Sequence, residues 1–443
     1  MKGLFRATAL GVTLMCLILF PGCGDWLEEK FQKKIPGKRI EVLRNSRALI
    51  ADKRSESLAV VLPNPVINRN WPQPGGFPNH AMHHLSAPGP LSKLWSARIG
   101  NGSNDEAQLL AEPIVSEGRV YTIDINAVVS SLDANTGKKI WRVDLAKNME
   151  HEGTLGGGIG IEGNRLYATT GFAEVISLDL RDGNEIWRTQ VDGPIRAGPT
   201  VSEGRVFVVT MANQLVALSS VDGKELWAHT GLEEVAGLVG GASAAVDRGI
   251  VVVPFSSGEV VALRVDNGRL VWKQSLVALR RVDAISAISH VRGEPVIDKG
   301  VVFVVGNGKR TVAIDLRTGT RLWDLQIGGQ NGPWVAGKFV YVLTRDAEVV
   351  CIVRDTGTVR WVTRLPKYKK PLRKKGAIFW SGPVLAGDRL LVAGTHKEVW
   401  SISPYSGEIL SDKKISGPVL ISPIVAIGTV YILTDDADLI AFR

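Results

Sequence analysis

Cysteine is scarce in this chain, with three residues, Cys16, Cys23 and Cys351, among 443. That number excludes a disulfide-stapled scaffold and a cysteine-rich zinc site. Cys351 lies in the apolar run 349–353, which predicts a buried strand residue. Tyrosine is scarce as well, with 6 residues against 12 tryptophans. The repeats described below account for this imbalance.

Long apolar runs are also lacking, which excludes a multi-pass membrane protein. Disorder is excluded by a hydrophobic fraction of 45% with 22% charged residues. The length exceeds one ordinary core and predicts two or three domains, or one large repeat array. The 48 glycines and 21 prolines provide many turn residues.

The first residues have the pattern of a leader. Lys2 and Arg6 precede an uncharged apolar stretch, 7–20, which is short for a membrane span and typical of a signal peptide. Residues 20–23, Phe-Pro-Gly-Cys, resemble a bacterial lipobox, which predicts cleavage after residue 22 and lipidation of Cys23. Removing 1–22 takes away two basic residues and no acidic ones, so the net charge of +9 falls to +7. Gly24 follows in place of an Asp, which favours the outer membrane; the alternative is ordinary secretion with an incidental cysteine.

A repeat with two turn signals fills the rest of the chain. The first signal is a glycine between two short β-branched runs, found eight times, at Gly118, Gly163, Gly204, Gly249, Gly300, Gly337, Gly387 and Gly428. The second is a glycine four residues before a tryptophan, in the pairs Gly137/Trp141, Gly183/Trp187, Gly223/Trp227, Gly268/Trp272, Gly319/Trp323 and Gly357/Trp361. Gly407 is the seventh such glycine, and its partner position is Ser411. Both signals are typical of β-hairpin turns in which glycine takes a positive φ.

The uneven counts indicate how the ring closes. The last unit, 422–443, has three strand-like runs, and the missing fourth strand is found at 91–99, which carries Trp95. The fold class is therefore all-β: an eight-bladed propeller of four-stranded antiparallel blades, closed by an N-terminal strand. We expect seven tryptophans to dock between blades rather than to form an aromatic ligand site. They are Trp95, Trp141, Trp187, Trp227, Trp272, Trp323 and Trp361.

Units of the form Asp-x-x-Thr-Gly-x-x-x-Trp behind a lipobox resemble the tryptophan-docked propellers related to pyrroloquinoline quinone (PQQ) enzymes. Within these, the chain is similar to the BamB-like lipoproteins of the outer-membrane β-barrel assembly machinery. The resemblance implies a scaffold, not an enzyme, with no cofactor and no nucleic-acid partner. It further implies a lipid-anchored periplasmic protein that docks on a POTRA domain of the barrel-insertion protein and assists nascent outer-membrane proteins. The implied domains are a signal peptide at 1–22, a lipidated tether with a packed extension at 23–87, and the propeller at 88–443.

The resemblance places the docking surface on two loops between middle blades. The first docking loop, 231–241, contains Leu238, Val239 and Gly240, of which Leu238 and Gly240 match the family pattern. The second docking loop, 275–295, contains Val282 and Asp283, which match the start of a family motif. Arg280 and Arg281 lie beside that motif and would supply the positive charge that the first loop lacks.

Other functions remain as alternatives. A PQQ-dependent dehydrogenase would share the fold, but the chain has no adjacent cysteine pair and no dense group of oxygen ligands for calcium. A propeller that binds another envelope protein or a glycan is the second alternative. Docking through interblade loops is favoured over pairing of a blade edge with an unfolded barrel strand, because closed blades leave only short edges.

Two polar segments have competing interpretations. His80, His83 and His84 form either a metal site or, as we expect from the surrounding Pro and Gly, part of a solvated linker. The lysines and arginines of 367–375 form either a solvated insertion or a contact for anionic lipid headgroups or an acidic partner.

Overall fold

The computed structural model describes residues 49–55, 57–87, 89–146, 157–195, 197–232, 240–277 and 290–443. Apart from Leu49, they all belong to the second of two compact units, Ile50–Arg443. Within these ranges no helix is long and apolar enough to cross a membrane.

The described residues form eight four-stranded antiparallel blades arranged as a propeller ring. We number the blades in chain order, from the inner strand outwards. Blades 1 to 4 consist of Ile114–Ser116 (β2), Arg119–Ile123 (β3), Val128–Asp133 (β4) and Lys139–Asp144 (β5); Gly157–Glu162 (β6), Arg165–Thr170 (β7), Glu174–Asp179 (β8) and Glu185–Gln190 (β9); Thr200–Ser202 (β10), Arg205–Val209 (β11), Gln214–Ser219 (β12) and Glu225–Thr230 (β13); and Ala245–Asp247 (β14), Ile250–Pro254 (β15), Glu259–Arg264 (β16) and Leu270–Ser275 (β17).

Blades 5 to 8 follow the same order. They consist of Val296–Asp298 (β18), Val301–Gly306 (β19), Arg310–Asp315 (β20) and Arg321–Leu325 (β21); Trp334–Ala336 (β22), Phe339–Leu343 (β23), Glu348–Val353 (β24) and Val359–Arg364 (β25); Trp380–Leu385 (β28), Leu390–Gly394 (β29), Glu398–Ile402 (β30) and Ile409–Lys414 (β31); and Ile424–Ala426 (β32), Thr429–Leu433 (β33), Asp438–Phe442 (β34) and Lys93–Arg98 (β1). A two-stranded hairpin, Tyr368–Lys370 (β26) and Lys375–Ala377 (β27), is inserted between blades 6 and 7 around a 3-10 turn, Pro371–Arg373.

Local chemistry explains the turn between the third and fourth strands. In blade 1 the Asp133 carboxylate accepts hydrogen bonds from the backbone N–H groups of Asn135 and Thr136, at 3.0 and 2.9 Å. Gly137 then takes φ +70° and continues into β5. The repeated Asp, Thr and Gly are therefore the residues that this turn requires.

The closure by an N-terminal strand is confirmed. Strand β1 pairs antiparallel with β34, so blade 8 combines the two ends of the described propeller. The inner three strands of each blade are mostly buried, whereas outer strands such as β5 and β31 are largely exposed. Cys351 lies fully buried in β24, as its apolar neighbours predicted.

The segment 68–85, here called the strap, hydrogen-bonds to all eight blades. Each bond involves the innermost strand of a blade or the turn after it, at 2.6 to 2.9 Å. The donors and acceptors, in ring order from blade 8, are Ile427 N–H to Asn68 O, Val115 N–H to Trp71 O, Ile161 N–H to Pro72 O, Val201 N–H to Gln73 Oε1, Val246 N–H to Pro78 O, Ile297 N–H to Asn79 O, Trp334 Nε1–H to His83 O, and Gly387 N–H to Leu85 O. The strap thus satisfies backbone groups that a propeller otherwise leaves unpaired along its channel.

The solvated-linker interpretation of the histidines is therefore wrong. His80 and His84 are buried in the strap, and their Nδ1 atoms bond to the carbonyl oxygens of Pro295 and Pro63, at 2.7 and 2.8 Å. The ring of His83 faces Asp298, with Nε2 at 3.7 Å from Oδ1. Among the described residues, no group of histidine, cysteine and acidic side chains has the arrangement of a metal site.

Candidate docking surface and central cavity

Each of the seven repeat tryptophans contacts the next blade. Its indole N–H donates a hydrogen bond to a backbone carbonyl of that blade, at 2.6 to 3.3 Å. The donor and acceptor residues are Trp95 and Ala134, Trp141 and Leu180, Trp187 and Ser220, Trp227 and Val265, Trp272 and Leu316, Trp323 and Arg354, and Trp361 and Pro404. The indole ring also covers the turn glycine of that blade, so that a Cβ at Gly357 would lie 2.9 Å from Trp323.

This contact explains why Ser411 takes the place of a tryptophan. An indole at position 411, in β31 of blade 7, would face blade 8. The third and fourth strands of blade 8 are β34 and β1, which come from opposite ends of the propeller and have no turn between them. Blade 8 therefore lacks the turn glycine on which the other indoles pack, and an indole at position 411 would have no such packing partner.

The sequence interpretation missed a second aromatic layer. Six of the tryptophans pack on a tyrosine or phenylalanine from the second strand of their own blade, with ring centroids 5.8 to 6.0 Å apart. These partners are Tyr431, Tyr121, Tyr167, Phe207, Phe303 and Tyr341. An aromatic residue three or four positions after the first turn glycine was the signal available in the sequence.

Most predicted docking residues lie outside the described residues. Leu238 and Val239 fall within 233–239, and Arg280, Arg281, Val282 and Asp283 fall within 278–289. Cys23 also lies outside. Gly240 and the described stems of both docking loops are therefore the part of this surface that the structure shows.

The first docking loop leaves blade 3 from a firmly held stem. The Leu232 N–H donates to Glu259 Oε2 at 2.8 Å, and the Leu232 carbonyl accepts from Asn213 Nδ2 at 2.6 Å. Glu259 also forms an ion pair with Lys273. The Leu232 side chain remains 59% exposed, so the stem presents an apolar group beside its hydrogen bonds.

The second docking loop leaves blade 4, and arginines of blade 5 hold its first residues. Arg310 binds the Asp324 carboxylate at 2.6 Å and also donates to the Val277 carbonyl at 3.2 Å. Arg321 donates to the Ser275 carbonyl at 2.6 Å. Two arginines thus fix the backbone from which this loop departs.

The returning ends of the two docking loops meet. Gly240 has φ +89°, and a Cβ at this position would lie 3.1 Å from Arg292 Nε. Arg292 also donates to Gln330 Oε1 at 3.4 Å, and burial lowers the pKa of its guanidinium. Arg292 is a candidate site residue that the sequence interpretation missed.

A cavity of about 140 Å³ lies where the inner strands and the strap converge. Gly240 and Arg292 line it, together with Glu112, which precedes blade 1, and Glu294, which precedes blade 5 on the opposite side of the ring. Both acids approach Gly75 of the strap. The Gly75 N–H donates to Glu112 Oε2 at 3.1 Å, and a Cβ on Gly75 would lie 2.5 Å from Glu294 Oε2.

The surroundings favour the neutral form of both acids. Burial raises the pKa of Glu112 to about 7, although the Gly75 N–H opposes this shift. Burial and the nearby Glu112 raise the pKa of Glu294 well above its ordinary value. His80, which also lines the cavity, has its pKa lowered to about 4 by burial. The cavity therefore holds two acids and an imidazole that all tend towards neutrality.

Comparison with known proteins decides the family. The family model described as outer membrane protein assembly factor BamB matches residues 125–363 and 368–443. The chain belongs to the BamB family.

Curated BamB proteins resemble the chain over most of their length. The outer membrane protein assembly factor BamB of Yersinia pestis is 27% identical over 358 residues, covering 77% of this chain and 88% of that protein. BamB of Vibrio cholerae is 35% identical over 267 residues, covering 59% and 68%.

Solved structures show the same fold in proteins of different activity. The crystal structure of BamB from Moraxella catarrhalis matches with a TM-score of 0.68 and 18% identity, covering 80% of this chain and all of that one. A quinohemoprotein alcohol dehydrogenase from Comamonas testosteroni matches with a TM-score of 0.62 and 14% identity, covering 86% and 81%. At these identities both matches establish the fold alone.

The central cavity of this BamB-family chain does not fit a quinone with its metal. Its volume of about 140 Å³ is below the roughly 300–1,000 Å³ typical of small-molecule pockets. A calcium ion takes about six to eight oxygen ligands, among which ionised carboxylates supply the negative charge, whereas burial favours the protonated forms of Glu112 and Glu294. The strap residues Trp71 and Gly75 also form part of the wall.

Proposed function

We propose that this chain is a non-enzymatic scaffold of the outer-membrane β-barrel assembly machinery. It docks through the first and second docking loops on a periplasmic POTRA domain of the barrel-insertion protein and assists the delivery of nascent outer-membrane proteins. Membership of the BamB family supports the assembly role. The observation that carries the choice of surface is the contact between Gly240 and Arg292, which joins the bases of both loops.

The physical basis of this function is rigid presentation. The loop stems are held by Glu259, Asn213, Arg310 and Arg321, and the blades beneath them are joined by tryptophans. Because the stems are held, a partner that binds here does not have to order them. The entropy cost of association is correspondingly small.

The proposal includes a membrane anchor. Cys23, within the lipobox-like residues 20–23, would carry acyl chains after removal of 1–22. Each buried CH₂ contributes about 0.8 kcal/mol, so more than one acyl chain anchors a protein stably. The anchored propeller then faces the periplasm, where the barrel-insertion protein presents its soluble domains.

Affinity isolation from membranes tests the docking surface. We expect Leu238→Asp, or Arg280→Glu combined with Arg281→Glu, to reduce the recovered barrel-insertion protein about tenfold or more, since central interface residues typically contribute about 2 kcal/mol or more. Leu226→Asp is the matched control, because Leu226 is 48% exposed near the start of β13, at the end of that strand opposite the first docking loop. Each variant should keep the parent thermal unfolding midpoint.

The same isolation separates the alternatives. Recovery of envelope glycans in place of assembly proteins would contradict this proposal and show that the propeller is a glycan-binding module. Unchanged recovery in all loop variants would show that another surface docks. A quinone absorbance band that stays with the protein after PQQ and calcium are added and free PQQ is removed would support the dehydrogenase alternative.

A further inference from the structure

The hairpin between blades 6 and 7 is an ordered structure of its own. Strands β26 and β27 pair with Lys370 opposite Lys375, and a 3-10 turn closes the hairpin. At its base, the Ile378 N–H donates to the Lys367 carbonyl at 2.9 Å. Trp380 Nε1 donates to the Pro366 carbonyl, also at 2.9 Å. The blades therefore hold the base while residues 369–377 are all exposed.

The hairpin carries positive charge that its surroundings leave largely uncompensated. It contains six cations, Lys367, Lys369, Lys370, Arg373, Lys374 and Lys375. Within the described part of the chain, Lys367 alone among them has an ion-pair partner, Asp346 at 3.0 Å. Lys370 and Lys375 are direct cross-strand neighbours, and like charges in that position destabilise a hairpin. An external anion would remove this cost.

The turn of the same hairpin presents a fully exposed apolar side chain among its cations. Leu372 is 100% exposed at the turn, and Phe379 at the base is 60% exposed. Pro371 begins the turn and restricts its backbone, so the apex needs little further ordering on binding. A fully exposed leucine gains free energy when it enters an apolar phase.

We infer that this hairpin docks on the surface of an anionic lipid bilayer. The cations of both strands contact lipid phosphates while Leu372 enters the acyl boundary beneath them. A bilayer offers anionic groups above an apolar layer, in the same order as the cations and the apex of the hairpin. An acidic protein surface matches the charge and provides no place for Leu372.

Topology places this contact on the face used by the docking loops. The hairpin and both docking loops connect the outer strand of one blade to the inner strand of the next. In a ring of antiparallel four-stranded blades, such connections all leave from one face. This lipid contact goes beyond the proposed docking on the assembly protein, and neither requires the other.

A fluorophore at the apex tests the inference. The full chain with Leu372→Cys is labelled with an environment-sensitive dye and mixed with vesicles of phosphatidylcholine alone or with one third phosphatidylglycerol. We expect a blue shift and quenching by a lipid-borne quencher only with the anionic vesicles. Salt at 1 M, where the Debye length is about 3 Å, should suppress both signals. Any acyl anchor holds the chain on both kinds of vesicle, so the difference between them reports the hairpin.

Matched variants separate binding from folding. Lys370→Glu creates an opposite-charge pair with Lys375, so the hairpin should stay folded. Its binding constant for anionic vesicles should fall roughly tenfold to thirtyfold, as expected for reversal of one surface charge. Lys224→Cys, labelled in an exposed turn on the opposite face, should show no shift, and the parent chain gives the background from native cysteines.

Three results would overturn the inference. The first is a dye at position 372 that shows neither a blue shift nor quenching with anionic vesicles at low salt. The second is a K370E variant that keeps the full signal. The third is a dye that responds to an acidic protein and not to lipid. Each of these leaves the isolation experiment on the docking loops unaffected.

Discussion

A tryptophan of one blade and a glycine of the next form the smallest repeated contact of this ring. The glycine is needed twice, for the positive φ of its turn and for the space that the indole occupies. Trp323 and Gly357 show both requirements, with φ +72° at the glycine and 2.9 Å between its ideal Cβ and the indole. The tryptophan also donates to the Arg354 carbonyl at 2.6 Å. Burial, packing and a hydrogen bond therefore coincide at one tryptophan in each of seven contacts between neighbouring blades.

We expect Trp323→Ala to lower the free energy of unfolding by about 3–5 kcal/mol, the range for large aromatic residues in cores. Leu322→Ala is the control, since Leu322 is 51% exposed and surface changes stay within about 0.5 kcal/mol. Urea unfolding followed by circular dichroism measures both. A loss equal to that of the control would show that the indole does not hold the seam.

A double-mutant cycle tests the steric role of the glycine. Gly357→Ala should destabilise the parent more than it destabilises the Trp323→Ala variant, because the clash disappears with the indole while the φ strain remains. The coupling energy is expected at about 0.5–3 kcal/mol. If the losses in free energy of unfolding are additive, Gly357 is needed only for the positive φ of its turn and not for the space that the indole occupies.

The carboxyl of Glu112 should make stability depend on pH. Burial raises its pKa from 4.5 to about 7, so its contribution is fully present below pH 4.5 and is lost as the pH rises through 7. His80, with a pKa lowered from 6.5 to about 4, acts in the opposite direction, because its contribution is present above pH 6.5 and is lost as the pH falls through 4. Glu112→Gln stays neutral and should show a shallower decline between pH 4.5 and 7, because Glu294, whose pKa is also raised by burial, still contributes. Urea midpoints measured across this range check the slope, and parallel curves for parent and variant would contradict the assignment.

At the scale of elements, turns and strands could be predicted and the strap could not. A turn that needs Asp, Thr and Gly, or a seam that needs Trp, imposes residue types that repeat in the sequence. The strap binds the blades mostly through backbone atoms such as the carbonyls of Pro72 and Pro78, which every residue type has. Its histidines were therefore interpreted as part of a linker. Arg292 was missed for a related reason, because its neighbour Gly240 lies in another loop and only the fold brings them together.

The strap should protect the inner strands as one unit. Gly76 has φ +97°, and a Cβ there would overlap Met82, so Gly76→Ala should loosen the strap. We expect amide exchange at Ile161, Val246 and Ile297 to accelerate together, by about tenfold or more, as in a shared local opening. Hydrogen-exchange mass spectrometry measures this effect.

Gly89→Ala is the control for the strap, because its φ of +102° is similar but its Cβ would lie 3.5 Å from the nearest atom. That variant should keep the parent exchange at all three amides. Acceleration of a single amide in the Gly76 variant would show that the bonds of the strap open independently.

At the scale of the whole molecule, the closed ring of blades holds the stems of the interblade loops in fixed positions. Strand β1 closes blade 8, the tryptophans join seven seams, and the strap crosses all eight blades. The face that carries the interblade connections then holds both docking loops and the basic hairpin. The eight blades and their closure were predictable from the two turn signals. The docking residues rest on the family resemblance alone, since a partner contact leaves no repeat in the sequence.

Photocrosslinking in living cells tests the central claim most directly. A photoreactive residue at position 238 or 281 reports the docking face, and one at Lys138 or Lys224, in turns of the opposite face, serves as the control. We predict adducts with the barrel-insertion protein from 238 and 281 and none from the controls. Adducts from the turn positions, or none from the loops while the protein still co-purifies with the machinery, would contradict the account.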